Sequence, residues 1–302
     1  MSNSYEVKSK VNQEGSKTTY FEWAGGEQKI VLLHGFPETP HIWEALALQL
    51  QEHGYTVIAP YLLGYENVDT VDRVITIKEL AIWLNNFAKS ILDRPNEKVF
   101  LVGHDFGAAT GYAALTFENH CFSHYIALAV PPLGTFLKTF LTHPVQASRR
   151  RYILLFCIPF GIGQWYITKN KHKRLKRLMR HWCEGAKVST AYFSSDLAYE
   201  RLPNFSGPLA LYKGILPSFS KFFPWCQQFK IAFTKITTPT RIFVGQDETT
   251  YPLETFGDYK SQFSPSTPVS LEVIPNCGHF IPLDGTEYIV QHLLEMHKVK
   301  NV

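Results

Sequence analysis

The chain has 302 residues, 45% of them hydrophobic, which is enough for one large core or one core carrying an inserted smaller unit, with no internal repeat or low-complexity tract. Its five cysteines (121, 157, 183, 226 and 277) are scattered with no C-x-x-C pair, which argues against a zinc site or a disulfide framework and for free thiols in a reducing compartment. The formal net charge of +4 is modest, and without a nucleic-acid-binding motif beside it no nucleic-acid partner is expected.

The opening residues, Met1 to Gln13, are polar and lack the apolar core of a secretory signal. Lys29–Leu33 then reads as a short buried strand, followed by His34-Gly35-Phe36-Pro37 and a helix begun by Pro40, with Trp43, Leu46, Leu48 and Leu50 on its apolar stripe. Thr56–Ala59 is the next strand, Ile77–Leu92 a helix, Val99 to Ala108 an apolar strand with a pinched turn and a helix start, and Tyr125–Val130 another strand. Short buried strands alternating with helices imply a parallel sheet covered on both faces. At Pro131-Pro132 the rhythm breaks, and until about Trp225 the chain is aromatic, basic and helical without a clear strand. Within this block the longest apolar stretch, Tyr152 to Thr168, is interrupted by Pro159, Gly161, Gly163 and Gln164 and is short for a bilayer span. From Arg149 to Arg180 there are ten basic residues and no acidic one, whereas the rest of the chain carries 20 basic against 26 acidic. A solvated helix face is the commoner meaning of such a run; a weak contact with an anionic membrane surface through 149–180 is the sharper one. Alternation resumes at Thr240–Val244 and Ser270–Ile274, and Thr286–His297 closes the chain as a helix. The expected organisation is a core domain of residues 1–130 and 228–302 with a helical insertion, 131–227, over the sheet's C-terminal edge. A soluble, cytoplasmic protein is expected, with homodimerisation as a further partner expectation.

The chemistry centres on Gly103-His104-Asp105-Phe106-Gly107-Ala108, a strand end, a pinched turn and a helix start. Small residues flanking a lifted side chain make the nucleophile elbow of α/β-hydrolases, but the lifted residue here is an aspartate rather than a serine. A carboxylate attacking an ester carbonyl gives an anhydride, while attack on an sp³ carbon gives an ester that water can cleave, so epoxides and alkyl halides fit and peptides do not. Two further groups follow in the order that such an arrangement requires: an acid, Asp247, after the strand ending at Gly245, and a base, His279, in Asn276-Cys277-Gly278-His279-Phe280. Singly, each of the three could be a turn or packing residue; together and in order they point to catalysis by an Asp-His-Asp triad. Glu248 is the rival acid, and Asp247 is preferred for standing nearer the strand end. His104 is expected to support the turn. Oxyanion donors are expected from the backbone N–H groups of Phe36 and Phe106, while Pro37, lacking an N–H, shapes the loop.

On these residues the chain resembles the α/β-hydrolase-fold epoxide hydrolases over nearly its whole length. His34-Gly35-Phe36-Pro37-Glu38 with Trp43 is similar to that family's H-G-x-P loop, and Gly103-His104-Asp105-Phe106-Gly107 to its elbow, which more often carries Trp where Phe106 stands. The resemblance implies a mostly parallel twisted sheet flanked by helices with an inserted helical cap. It also implies two cap tyrosines that hydrogen-bond the epoxide oxygen: Tyr152, in Tyr152-Ile153-Leu154-Leu155-Phe156-Cys157-Ile158-Pro159, and Tyr212, in Gly207-Pro208-Leu209-Ala210-Leu211-Tyr212-Lys213. Two departures stand out. Leu211 replaces the tryptophan usual before the second tyrosine, and Tyr61-Leu62-Leu63-Gly64-Tyr65-Glu66 replaces an Asp-x-Arg-Gly-x-Gly loop, which bears on pocket shape and substrate.

Water and side chains supply every role in such a reaction, so no cofactor or metal is called for. The cap's Phe136, Leu137, Phe140, Leu141, Leu154, Leu155, Phe156, Phe219, Phe222 and Phe223 favour an apolar small-molecule epoxide as substrate. Haloalkane dehalogenase is the nearest alternative, weakened because Phe106 offers no side-chain donor to a halide. A non-catalytic binding protein on the same scaffold has no reason to keep three catalytic groups in order.

Overall fold

The computed structural model describes residues 4–11, 17–66, 74–94, 96–142, 151–158, 160–195, 199, 205–215 and 230–300. Eight strands form one sheet: β1 (Glu6–Val11), β2 (Lys17–Trp23), β3 (Lys29–Leu33), β4 (Thr56–Pro60), β5 (Val99–His104), β6 (Phe122–Leu128), β7 (Thr240–Gly245) and β8 (Val269–Ile274). Their spatial order is β1-β2-β4-β3-β5-β6-β7-β8. From β4 to β8 every pairing is parallel, while β1 and β2 join antiparallel at one edge. The central strand β5 is buried along its whole length, as its unbroken apolar run requires when helices cover both faces. Strand β1 is absent from the sequence reading because it is an edge strand whose side chains are nearly all exposed, leaving no period-2 apolar signal, and β2, which buries Tyr20, Phe21 and Trp23, is absent with it.

The core helices are α1 (Glu44–Glu52), preceded by a 3-10 turn from Pro40 to Trp43, α2 (Ile77–Ser90) and α3 (Phe106–Ala114). Helix α1 buries Leu46, Ala47 and Leu50, whereas Leu48, expected on the stripe, points outward because it stands two residues, about 200° of helical rotation, from both Leu46 and Leu50. Helix α2 opens with a capping box in which the Thr76 side chain accepts from the Glu79 N–H and the Glu79 carboxylate accepts from the Thr76 N–H.

Strands β6 and β7 are neighbours in the sheet, paired from Tyr125–Thr240 to Leu128–Phe243, so everything between them leaves and returns between adjacent strands. The described residues of that segment form α4 (Leu133–Thr142), α5 (Arg151–Phe156), α6 (Ile162–Trp182), α7 (Lys187–Ser194) and α8 (Ser206–Ile215). Helix α6 is two helical pieces joined by a bend, since Asn170, Lys171 and His172 are left-handed with φ of 56°, 51° and 60°. The chain closes with α9 (Ile281–Asp284) and α10 (Thr286–Lys300). The segment is tied down from below: the Asp284 carboxylate accepts the backbone N–H groups of Val188 and Ser189, both at 3.1 Å, capping α7. No described helix is long and apolar enough to cross a membrane. Cys121, Cys157, Cys183 and Cys277 are free thiols, and Cys226 lies outside the described residues.

Candidate active site

Strand β5 delivers Asp105 at the sheet's C-terminal edge with φ 48° and ψ −116°, a backbone shape that a non-glycine residue holds only when its surroundings force it. The forcing is steric. A Cβ on Gly103 would sit 2.6 Å from the Gly107 carbonyl oxygen, and one on Gly107 would sit 2.2 Å from that of Leu33. The approach of the neighbouring loop is as close, because a Cβ on Gly35 would lie 2.4 Å from the Asp105 Cβ. This is the physical content of the small-residue pattern around the elbow.

The Phe36 N–H donates to Asp105 Oδ2 at 2.9 Å, so one of the two expected main-chain donors lies against the carboxylate. Phe106 heads α3 immediately after Asp105, and its ring meets that of Tyr212 edge-on at 4.8 Å. Burial lifts the Asp105 carboxyl above its ordinary pKa, against the pull of the nearby His279 and His104.

His279 follows β8, and its Nδ1 lies 2.8 Å from Glu248 Oε2. Here the structure corrects the sequence reading: the carboxylate at the histidine belongs to Glu248, and Asp247 is exposed on the other side of the turn. The reason is the geometry after β7. The Glu248 N–H bonds back to the Gly245 carbonyl at 3.2 Å, a turn that swings the third residue beyond the strand inward. The same turn leaves Gln246 and Asp247 facing solvent, with the Asp247 N–H held by the Cys277 carbonyl at 2.9 Å. Glu248 Oε1 accepts the backbone N–H groups of Thr250 at 2.6 Å and Tyr251 at 3.1 Å. Burial opposes its ionisation, but His279 and these donors outweigh burial and hold its pKa below the usual value. Burial likewise opposes the imidazolium, yet the carboxylates of Glu248, Asp105 and Glu38 raise His279 to about 9. With Nδ1 turned to a carboxylate, Nε2 is the free ring nitrogen, buried and without a hydrogen-bond partner among the described residues.

A second buried chain of polar groups fixes the loops that carry these residues. Glu38 Oε2 accepts the Gly35 N–H at 2.8 Å, and its Oε1 lies 2.7 Å from His104 Nδ1. His104 Nε2 in turn donates to the His279 carbonyl at 2.8 Å. One carboxylate therefore connects the loop after β3, the elbow strand and the histidine loop. In the sequence Glu38 stands out only as the acid that closes the His34–Glu38 motif. His34 accepts the Leu62 N–H at Nε2 (3.1 Å), and burial lowers its pKa to about 4, so it is neutral. Helix α6 also reaches the site, as the Trp182 carbonyl accepts the His279 N–H at 3.2 Å.

Asp105, Tyr152 and Tyr212 line one cavity of about 120 Å³, with Phe106, Phe136 and Tyr251. Tyr152 comes from α5 and Tyr212 from α8, and their ring centroids are 6.1 Å apart. Burial drives the Tyr212 hydroxyl well above its ordinary pKa, so it stays a proton donor. Of the apolar residues expected to shape the pocket, Phe136 and Leu137 line it, Phe156 is buried against Phe36, and Leu154 points away into solvent. The side chains of Phe140, Leu141, Phe219, Phe222 and Phe223 lie outside the described residues. Tyr251, three residues after Glu248, lines the cavity and was not singled out in the sequence. Among the described residues no group of three or more His, Cys, Asp or Glu is placed to hold a metal ion.

The Alpha/beta hydrolase family profile matches residues 30–291, and the chain belongs to that family. Epoxide hydrolase 3 of Xenopus tropicalis is 25% identical over 277 residues, covering 88% of this chain and 71% of the relative. Epoxide hydrolase 3 of Siraitia grosvenorii is 24% identical, covering 94% and 95%. Among solved structures, a mutant epoxide hydrolase of Vigna radiata superposes with a TM-score of 0.76 at 22% identity, covering 98% of this chain and 99% of the other. The architecture is accordingly the α/β-hydrolase fold, an eight-stranded, mostly parallel sheet flanked by helices.

Proposed function

We propose that the chain is an epoxide hydrolase that opens an epoxide to a vicinal diol through an ester on Asp105, with residues 131–227 acting as a cap over the core formed by 1–130 and 228–302. The 227/228 boundary itself lies outside the described residues. The observation that carries the reading is the pairing of a buried elbow carboxylate with a buried histidine whose Nδ1 is held by Glu248 and whose Nε2 is unpartnered among the described residues. The relatives named epoxide hydrolase lend support.

The chemistry runs in two halves. An Asp105 oxygen attacks an epoxide carbon, the C–O bond breaks, and the alkoxide takes a proton from Tyr152 or Tyr212. Water then attacks the Asp105 ester carbonyl while His279 Nε2 removes its proton. The oxyanion that develops is held by the main-chain N–H groups of Phe36 and Phe106; its collapse breaks the ester C–O bond, the departing diol oxygen takes the proton of the hydroxyl that water added, the carboxylate is restored, and the His279 imidazolium returns its proton to the tyrosinate left by ring opening. The electrostatics suit this order. In the resting enzyme the Asp105 charge helps hold His279 up at about 9; esterification removes that charge, so the histidine's pKa falls when it must act as a base.

Two outcomes test the reading. Replacing both Tyr152 and Tyr212 by Phe is expected to slow alkylation by roughly 10³-fold or more, each single change by less, with folding kept because the rings remain. Wild-type rates in the double variant would remove the tyrosines from the mechanism. For the substrate, kcat/KM should favour a styrene-oxide-like epoxide over glycidol and over haloalkanes, unchanged by EDTA, as the apolar lining predicts. Preference for glycidol would overturn the apolar pocket, and preference for a haloalkane would favour dehalogenation.

A further inference from the structure

We infer that the outer face of α5 and α6 is a docking surface for an anionic lipid bilayer. Four large apolar side chains stand exposed within residues 154–165: Leu154 at 61%, Phe160 at 83%, Ile162 at 46% and Trp165 at 54%. Ile162 and Trp165 are three apart and so share one face of the first piece of α6. Cations border this apolar face. Lys169 Nζ lies 4.3 Å from the Trp165 ring centroid, and the Arg174 guanidinium lies 3.8 Å over the ring of Tyr166. At and beyond the left-handed bend, Lys171, Lys173, Lys176 and Arg180 line a single hollow. No acidic residue falls between 149 and 180. Arg149 and Arg150 lie outside the described residues.

Charge and apolarity together select the occupant. A polyanion such as RNA would reward the lysines and arginines but gain nothing from an exposed Phe, Ile and Leu. A bilayer carrying acidic headgroups rewards both, since indole and phenyl rings partition into the interfacial zone while Lys and Arg meet the headgroups beside them. The same short helix α5 directs Tyr152 and Ile153 into the cavity and Leu154 outward, so the surface lies one helix away from the pocket.

Flotation of the full chain with vesicles tests this, comparing phosphatidylcholine alone with phosphatidylcholine carrying about 30% phosphatidylserine. The wild type is expected to float with the anionic vesicles, far less with the neutral ones, and to be released as salt rises. Phe160→Ser with Trp165→Ser should lower vesicle affinity by roughly tenfold or more, and Phe160→Ser alone, on an exposed turn, by several-fold. Lys171→Gln, Lys173→Gln and Lys176→Gln together should lower it by roughly a hundredfold, about fivefold for each charge. The thermal midpoint should be unchanged throughout. No flotation, or equal flotation with neutral and anionic vesicles, would overturn the proposal. So would binding that survives loss of Phe160 and Trp165 yet disappears with the lysines or with added heparin, which would define a plain polyanion surface.

Discussion

The His279→Gln protein is expected to consume about one equivalent of epoxide and stop, gaining the mass of the substrate on Asp105. In the proposed reaction the two half-reactions call on different groups. Alkylation needs an ionised Asp105 and a tyrosine donor, neither of which the substitution removes. Hydrolysis needs a base at the position of Nε2, and the side-chain amide of glutamine cannot take up a proton near neutral pH. Intact-mass spectrometry of the quenched mixture should show the adduct, and peptide mapping should place it on residue 105. Single-turnover hydrolysis by the wild type in ¹⁸O water should leave the label in the enzyme carboxylate, because water attacks the ester carbonyl and not the substrate carbon. Label found only in the diol, with no adduct in the variant, would eliminate the ester and leave direct attack by water.

Asp105 was legible from sequence because steric demands wrote themselves into residue types. Gly35, Gly103 and Gly107 are each places where a Cβ would collide with backbone or with Asp105 itself, so the chain had to keep them, and the pattern is readable. His279 was legible for a related reason, as it follows a strand at the edge where the sheet presents its loops. The acid was not. Its identity depends on how far a turn rotates after Gly245, and two adjacent carboxylates, Asp247 and Glu248, give no local cue to which one turns inward. Only the Glu248 N–H bond to Gly245 and the backbone donors at Thr250 and Tyr251 decide it. Glu38 escaped for the same kind of reason. Its partner His104 is distant in sequence and meets it only once β3 and β5 are side by side, and the His279 loop joins only through His104. What periodicity cannot report is a contact made across the sheet, and the edge strand β1, with no buried face, was invisible to it for a different reason.

Glu248→Gln is expected to cut hydrolysis of the Asp105 ester by roughly 10³- to 10⁴-fold, while Asp247→Asn should leave it within about twofold. The argument is a count of donors and acceptors. Three donors converge on the Glu248 carboxylate: His279 Nδ1–H on Oε2, and the N–H groups of Thr250 and Tyr251 on Oε1. A glutamine has one acceptor oxygen and an amide nitrogen that only donates. If the oxygen stays with the backbone pair, the NH₂ faces Nδ1 and drives the proton to Nε2, which removes the base. If the amide flips, the NH₂ confronts two backbone donors in a buried turn, and the loop that holds the acid is destabilised. Asp247 makes no such demand, being exposed and bound through its backbone N–H to Cys277. Burst kinetics separate the steps: in Glu248→Gln the alkylation burst should persist and the steady state should collapse, with the ester accumulating as in His279→Gln. Thermal melts of both variants guard against misfolding as the cause. A slow Asp247→Asn beside an active Glu248→Gln would return the acid to the position nearest the strand end.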